Sequence, residues 1–251
     1  MSIHCSVPAP PRRPFARLGC DAGVLSGSAT RQFVWPSLPD SPPPPGPNDD
    51  VLTAAVGPGT LGRFAFAALR AFGWTVVLAQ PVPLKCVVVF YPHTSNWDFP
   101  IGLFAKWASG IHFRYVGKDA LFRWPFGRMF RRWGGIPVNR RLSSGFISQM
   151  HDEFARHDDF RLAIAPEGTR SRTEHWKSGF YHLARAAGVP VALGFIDYPR
   201  RRVGVGAYVD LTGDAASDMR RIAAFYADKC GHRPENQGPV ILRDEVQPKP
   251  Q

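Results

Sequence analysis

From Pro83 onwards, the sequence alternates between short apolar runs and longer segments with helical spacing. The apolar runs are 85–91, 114–117, 136–139, 161–165, 190–196 and 203–210. The helix-like segments are about 99–109, 124–133, 144–157, 178–187 and 215–229. Strands that alternate with helices of roughly 10–15 residues indicate an α/β architecture, because each helix returns the chain to start another parallel strand. The alternation predicts a single layered α/β domain with a largely parallel central sheet flanked by helices. The run at 85–91 is apolar on both faces and is therefore predicted to be a central strand.

Composition divides the 251 residues into four predicted segments. Residues 1–50 hold 11 of the 25 prolines and show no sustained apolar periodicity, so they are predicted to be a disordered, Pro-rich N-terminal segment. Residues 58–80 are predicted to form an amphipathic or interfacial helix. Residues 81–232 carry the α/β pattern, and 233–251 are predicted to be a C-terminal tail.

The formal net charge of +11 lies within residues 51–251, which hold 27 Lys and Arg against 16 Asp and Glu. A surplus of this kind indicates anionic partners, and nucleic acid, an anionic membrane and phosphorylated small molecules all remain open. The four cysteines show no metal-ligand spacing. Cys86 lies within a strand-like run, where a buried free thiol is expected, and this favours a reducing compartment.

His93 and Asp98 flank a short turn at the end of the central strand. Pro92 ends the strand, residues 94–96 are turn and cap formers, and a helix is predicted to open near Asp98. The turn can fold the carboxylate back onto one imidazole nitrogen and leave the other nitrogen facing the opening. No G-x-S-x-G motif and no histidine at i+4 accompany the pair, which argues against a serine hydrolase and against a metal site. The pair therefore predicts a general base that acts on a hydroxyl brought by a substrate.

Polar groups also follow two other predicted strands. Arg140 follows the run at 136–139, and residues 167–170 (Glu-Gly-Thr-Arg) follow the run at 161–165. The carboxyl ends of parallel strands meet at one edge of a sheet, so these groups are expected near His93. Arginine suits phosphate, and glycine allows a close approach of the backbone.

Four stretches resemble, in order, the sequence blocks of the glycerolipid acyltransferase family (1-acylglycerol-3-phosphate acyltransferase-like enzymes). They are "HTSNWD", "VGKDALFRWPFGRMFRRWGGIPVNR", "PEGTRS" and "GVPVALGF". The resemblance covers roughly residues 60–205, and the third block matches almost letter for letter. It implies that 81–232 is an acyltransferase domain.

The resemblance also implies a role for each matching position. His93 would be the general base and Asp98 its orienting partner. Three cationic side chains would bind an acceptor phosphate: Lys118, Arg140 and Arg170. The same pocket would be shaped by Glu167, Gly168 and Thr169. The acyl donor would be a thioester of coenzyme A or acyl carrier protein, with no other cofactor. Transfer would be direct, and Ser95 would serve the turn without forming an acyl-enzyme.

Departures from the family pattern surround the acceptor pocket: Tyr91, Pro92, Pro137, Asn139 and Gly194. They leave the acceptor open between 1-acylglycerol-3-phosphate and a non-phosphate acceptor, such as an amino-acid-based lysolipid. A basic nucleic-acid-binding protein and a lipid-binding module without catalysis are the alternatives from other classes. Neither alternative explains His93 together with Asp98, so no nucleic-acid partner is predicted.

Two segments indicate a membrane surface. The apolar part of 62–80 is too short to span a bilayer and carries Arg70, so it is predicted either to lie in the interface or to pack on the core. Residues 114–141 hold eight basic residues and one acid, with an aromatic stripe predicted along a helix that has Pro125 in its first turn. The stripe comprises Phe122, Phe126, Met129, Phe130 and Trp133. The sequence therefore predicts peripheral or monotopic binding to the cytoplasmic face of a membrane.

Overall fold

The computed structural model describes residues 51–52, 59–138 and 143–243, without the side chains of 143 and 144. Within these residues, the helices are α1 (Gly59–Ala71), α2 (Asp98–Ser109), α3 (Gly127–Arg132), α4 (Ser143–Arg156), α5 (Gly179–Ala187) and α6 (Ala215–Tyr226). The strands are β1 (Thr75–Leu78), β2 (Lys85–Tyr91), β3 (Phe113–Lys118), β4 (Gly135–Val138), β5 (Phe160–Ile164), β6 (Val191–Asp197) and β7 (Arg202–Val209). The N-terminal segment predicted to be disordered, together with Asn139 and Arg140, lies outside the described residues.

The seven strands form one sheet in the order β1-β7-β6-β2-β5-β3-β4. All neighbouring pairs are parallel except β6 and β7, so the predicted largely parallel sheet is confirmed. Strand β2 occupies the centre and pairs in parallel on both sides, through Val88 with Ala163 and with Ala192. Its position explains why the run at 85–91 is apolar on both faces.

Helices cover both faces of the sheet. Alternate residues of β2, including Val87 and Val89, pack in the larger core with side chains of α4, α5 and α6. Helices α1 and α2 contribute Leu69, Ala105 and Ala108 to a smaller core on the other face. Cys86 is a buried free thiol, as predicted, and burial raises its pKa to about 12.

The helix predicted over 58–80 is shorter in the structure and is followed by a strand. Helix α1 ends at Ala71, Gly73 takes a positive φ of 74°, and Thr75–Leu78 join the sheet as β1. Glycine tolerates the left-handed conformation that ends a helix, and the β-branched residues that follow favour a strand. Among the described residues, no helix is long and apolar enough to cross a membrane.

The predicted aromatic helix is also shorter than expected and begins at Gly127. Phe122 precedes it in the short 3-10 helix Asp119–Phe122, buried against Gly117 and Gly135. A Cβ atom on Gly135 would stand 2.6 Å from the Phe122 ring, so the glycine makes room for the phenylalanine. Phe126, by contrast, is 59% exposed. The predicted single stripe is therefore divided, with Phe122 in the interior and Phe126 at the surface.

The described part of the predicted C-terminal tail belongs to the domain. The Tyr91 hydroxyl donates to the Gly238 carbonyl at 2.7 Å, and the Arg233 N–H donates to Thr94 Oγ1 at 3.1 Å. Leu242 pairs with Trp176 in an isolated bridge and is buried. Residues 233–243 therefore pack on the domain, through partners that lie far away in the sequence.

Candidate active site

The parallel strands β2, β5, β3 and β4 bring their carboxyl ends to one edge of the sheet. His93 follows β2 by two residues, and Glu167 follows β5 by three. Because β2 and β5 are neighbours, these two polar groups meet. The backbone N–H of His93 donates to Glu167 Oε2 at 3.0 Å.

The turn between β2 and α2 places the imidazole of His93 beside the carboxylate of Asp98. The distance from His93 Nδ1 to Asp98 Oδ2 is 3.1 Å. The direction of this contact falls outside the angles of a good hydrogen bond, so Nδ1 has no well-aligned partner among the described residues. Such contacts often align only when substrate is bound. Since Nδ1 faces Asp98, Nε2 lies on the far side of a ring that remains 24% exposed.

Three hydrogen bonds hold the Asp98 carboxylate in place. Its Oδ2 accepts from the backbone N–H groups of Thr94 and Ser95 at 2.8 and 2.9 Å, and its Oδ1 accepts from the Tyr198 hydroxyl at 2.8 Å. Burial and the Asp98 carboxylate raise the pKa of Tyr198 far above its ordinary value, so this hydroxyl remains a donor. Asp98 is 1% exposed and opens α2, where the helix dipole favours a negative charge.

Ser95 has the structural role predicted for it. Its Oγ accepts from the backbone N–H of Trp97 at 3.2 Å, and the residue is buried.

Glu167 lies in the cluster, and its side chain is buried against the backbone of the histidine turn. The residue is 2% exposed, and its carboxylate also accepts from the backbone N–H of Gly238. Its Oε1 has no hydrogen-bond partner among the described residues. Burial raises the pKa of this carboxyl to about 7. The position after β5 directs the carboxylate inwards, where it supports the backbone that carries His93.

The residues after Glu167 turn the chain back to the histidine loop. Gly168 has a φ of +67°, a conformation that glycine adopts without strain. Thr169 Oγ1 accepts from the backbone N–H of Ser171 at 3.3 Å. Arg170 donates through Nη1 to Asn96 Oδ1, so its guanidinium stands at the turn between His93 and Asp98.

Lys118 lies farther away. It is exposed at the carboxyl end of β3, which is two strands from β2 and hence about 10 Å away across the sheet. It shares the edge of the sheet with His93 but does not join the His93 cluster. Arg140 is outside the described residues.

An apolar cavity of about 200 Å³ lies between α2 and the sheet, with His93 and Asp98 in its wall. Helix α2 contributes Phe99, Gly102 and Leu103, and the sheet contributes side chains of β1, β2, β3, β5 and β7. Lys106 also lines the cavity and donates to the Trp133 carbonyl at 2.6 Å. Burial, together with Arg114, lowers the pKa of Lys106 to about 8.

Sequence reasoning missed three contributors to the site: Tyr198, Gly238 and Lys106. Tyr198 lies 100 residues after Asp98, and Gly238 lies in the segment predicted to be a tail. Neither carries a local signal. Lys106 sits at helical spacing from Gly102 and Leu103, and this spacing was the only available sign that it faces the same side of α2.

The arrangement places an imidazole beside a carboxylate in the wall of an apolar cavity, and comparison with known proteins bears on the class of protein. Residues 75–192 match the family model described as Acyltransferase. The match covers a little under half of the chain and supports the family predicted from the sequence blocks. No curated protein matches the chain significantly. One solved structure with similarity is the 1-acyl-sn-glycerophosphate (LPA) acyltransferase PlsC from Thermotoga maritima. It is 18% identical, with a TM-score of 0.46, over 67% of this chain and 75% of that chain.

Proposed function

We propose that the protein transfers a fatty acyl group from an acyl thioester to the hydroxyl of a lysolipid, with 1-acylglycerol-3-phosphate as the preferred acceptor. The observation that carries the proposal is the His93–Asp98 pair in the wall of an apolar cavity. The donor is a thioester of coenzyme A or acyl carrier protein.

In the proposed reaction, His93 Nε2 takes the proton of the acceptor hydroxyl while the oxygen attacks the thioester carbonyl carbon. A C–O bond forms, and Asp98 stabilises the imidazolium. The tetrahedral intermediate then collapses, the C–S bond breaks, and the proton passes from His93 to the departing sulfur. No acyl-enzyme is formed, which is consistent with the Ser95 hydroxyl being used within the turn.

The cavity between α2 and the sheet suits the acyl chain of the donor. Its lining is almost entirely apolar, and His93 and Asp98 stand in its wall. A chain lying in the cavity would have its thioester carbonyl near the imidazole, and the apolar surface buried would stabilise the complex by about 0.8 kcal/mol per methylene.

The acceptor phosphate is assigned to Arg170, since its guanidinium stands at the histidine turn. Lys118 and Arg140 remain candidates for the same phosphate. We assign the protein to the cytoplasmic face of the membrane as a peripheral or monotopic enzyme. The exposed aromatic side chains Trp124 and Phe126, with Arg123 and Arg128 exposed beside them, support this location.

Acyl transfer by purified protein tests the proposal. Radiolabelled acyl-coenzyme A or acyl-acyl carrier protein is supplied with 1-acylglycerol-3-phosphate and with an amino-acid-based lysolipid, and the products are separated by chromatography. His93→Ala should lower the rate about 10²–10⁴-fold, the usual contribution of a general base. His151→Ala removes an exposed histidine on the opposite face of the sheet and serves as the control.

Two outcomes would count against the proposal. If His93→Ala retained more than a few per cent of the rate, the base would be another group. If Arg170→Ala bound the phosphate-bearing lysolipid with an unchanged KM, the guanidinium would not contact the phosphate, and a non-phosphate acceptor would be favoured.

A further inference from the structure

A second, larger groove of about 570 Å³ opens on the other side of α2. It lies between the end of α1, the start of α2 and the loop after β6. The lining residues are Ala68, Leu69, Phe72, Trp74, Trp97, Pro100, Ile101, Phe104, Tyr198, Arg201 and His232. Most of its wall is aromatic or aliphatic, and Phe72 and Trp97 at its border are 73% and 65% exposed.

Helix α2 separates the groove from the cavity. Ile101 and Phe104 line the groove, whereas Gly102 and Leu103 line the cavity. Residues three or four apart share a helix face, as Ile101 and Phe104 do on one side and Phe99, Gly102 and Leu103 do on the other. The two compartments therefore lie along different faces of the same helix. Both compartments begin at the N-terminal end of α2, where Asp98 is held.

The groove reaches the reaction centre through two of its wall residues. The ring of Tyr198 lines the groove, while its hydroxyl binds Asp98 Oδ1 at 2.8 Å. Trp97 precedes Asp98 directly and follows Asn96, the residue that Arg170 contacts. Trp97 and the groove therefore lie next to an amphiphile whose head group is at Arg170 and whose hydroxyl is at His93.

We propose that this groove holds the acyl chain of the lysolipid acceptor. The inference rests on the proposed function, in which a donor chain and an acceptor chain must both reach His93 at the same time. One cavity of about 200 Å³ cannot hold both chains together with their reacting groups in line. The groove supplies the second compartment, on the opposite side of the helix that carries Asp98.

The charges around the groove suit an anionic amphiphile. No carboxylate occurs among the described residues that line it, while Arg201 and His232 do. The Arg201 guanidinium donates to the Phe72 carbonyl at 2.9 Å and so stays at the groove wall. The exposed faces of Phe72 and Trp97 give a hydrocarbon chain a path from the surface into the groove.

Paired substitutions on the two sides of α2 test the assignment. Ile101→Trp fills the groove, and Gly102→Leu fills the cavity, where a Cβ atom on Gly102 has ordinary contacts only, at 3.6 Å from Phe90. With one acyl-coenzyme A as the donor, kcat/KM is measured for long-chain and short-chain 1-acylglycerol-3-phosphate. With one acceptor, kcat/KM is then measured for long-chain and short-chain acyl-coenzyme A. Ile101→Trp should lower the long-to-short acceptor ratio about tenfold, as if the burial of about two methylene groups were lost. Gly102→Leu should alter the donor ratio in the same way.

Substitutions of exposed residues test the same assignment without disturbing the core. Trp97→Ser and Phe72→Ser should raise the KM of the long-chain acceptor, while Leu84→Ser, which removes an exposed apolar side chain at the opposite edge of the sheet, should not. Binding of both acceptors to His93→Ala protein, measured without turnover, should show the same preference for the long chain and the same loss in Ile101→Trp.

The outcomes separate the two proposals. If the wild-type protein acylates no lysolipid, the proposed function fails. If it does acylate a lysolipid and Ile101→Trp changes the donor ratio, the groove holds part of the donor. If Ile101→Trp leaves both ratios unchanged, the groove holds no substrate. Either result overturns the groove assignment alone.

Discussion

At the residue scale, Asp98 joins its own turn to the loop after β6. It accepts two backbone N–H groups of its own turn and the hydroxyl of Tyr198, and it faces His93 Nδ1. Each donor takes up part of the negative charge of the carboxylate. Tyr198 therefore adjusts how strongly Asp98 acts on the imidazole, as well as holding it in place.

Tyr198→Phe should lower kcat about tenfold, since a buried hydrogen bond to a charged group is lost. The effect is measured from kcat and kcat/KM of the variant and the wild-type protein.

Tyr208→Phe is the matched control, because its hydroxyl donates to the Ala79 carbonyl at 3.0 Å and not to the site. An unchanged kcat in Tyr198→Phe would mean that the tyrosine only fills space.

Glu167 predicts a pH-dependent stability. Its carboxyl has a pKa of about 7 in the folded protein against 4.5 for an ordinary glutamate, so the folded state retains a proton that the unfolded state releases. The free energy of unfolding should therefore fall as the pH rises from 4.5 to about 7, by up to roughly 3 kcal/mol. Glu167→Gln, which can still accept the two backbone N–H groups, should remove this fall.

Urea denaturation at several pH values measures the effect. Glu174→Gln changes an exposed glutamate and should reproduce the pH dependence of the wild-type protein. If the free energy of unfolding fell with pH equally in the wild-type protein and in Glu167→Gln, Glu167 would not be the group responsible.

At the element scale, the segment around α3 serves both the core and the surface. Phe122 is buried against two glycines, and Phe130 packs edge-on against Trp133 at 5.8 Å. Between the 3-10 helix and α3, Trp124 is 94% exposed and Phe126 is 59% exposed. The buried aromatics hold the segment in place and leave these two side chains available to a bilayer.

Replacing Trp124 and Phe126 by serine should weaken binding to vesicles that contain anionic lipid by about tenfold or more, because the burial of two aromatic side chains is lost. Vesicle sedimentation at fixed ionic strength measures the partition. Leu84→Ser, at the opposite edge of the sheet, is the comparison variant. Equal partition of both variants would argue that another surface meets the membrane.

At the scale of the whole molecule, the segment 233–243 closes the structure around the site. It supplies the N–H of Gly238 to Glu167, the carbonyl of Gly238 to Tyr91, and the carbonyl of Ile241 to the Trp176 N–H at 2.7 Å. The site therefore depends on a segment that comes after all six described α-helices and all seven described strands in the sequence.

Truncation after His232 should lower the free energy of unfolding by about 5 kcal/mol, from several hydrogen bonds and the burial of Leu242, and should abolish activity. Truncation after Arg243, which keeps these contacts, is the control. Leu242→Ala, with an expected loss of about 2–3 kcal/mol, gives the same information should the short truncation not fold. Wild-type stability both in the truncation after His232 and in Leu242→Ala would show that the segment is dispensable.

The sequence by itself determined the alternation of strands and helices, the central position of β2, and the turn that sets His93 beside Asp98. These features depend on neighbouring residues: an unbroken apolar run, a proline that ends it, and turn formers before a helix start. Only the tertiary structure decided that the four residues of β1 pair with β7 at the edge of the sheet. It also decided that Tyr198 reaches Asp98 and that Glu167 faces inwards. Such contacts join distant residues, and Asp98 and Tyr198 are 100 positions apart. A local pattern carries no information about them, because they form only when the layers pack.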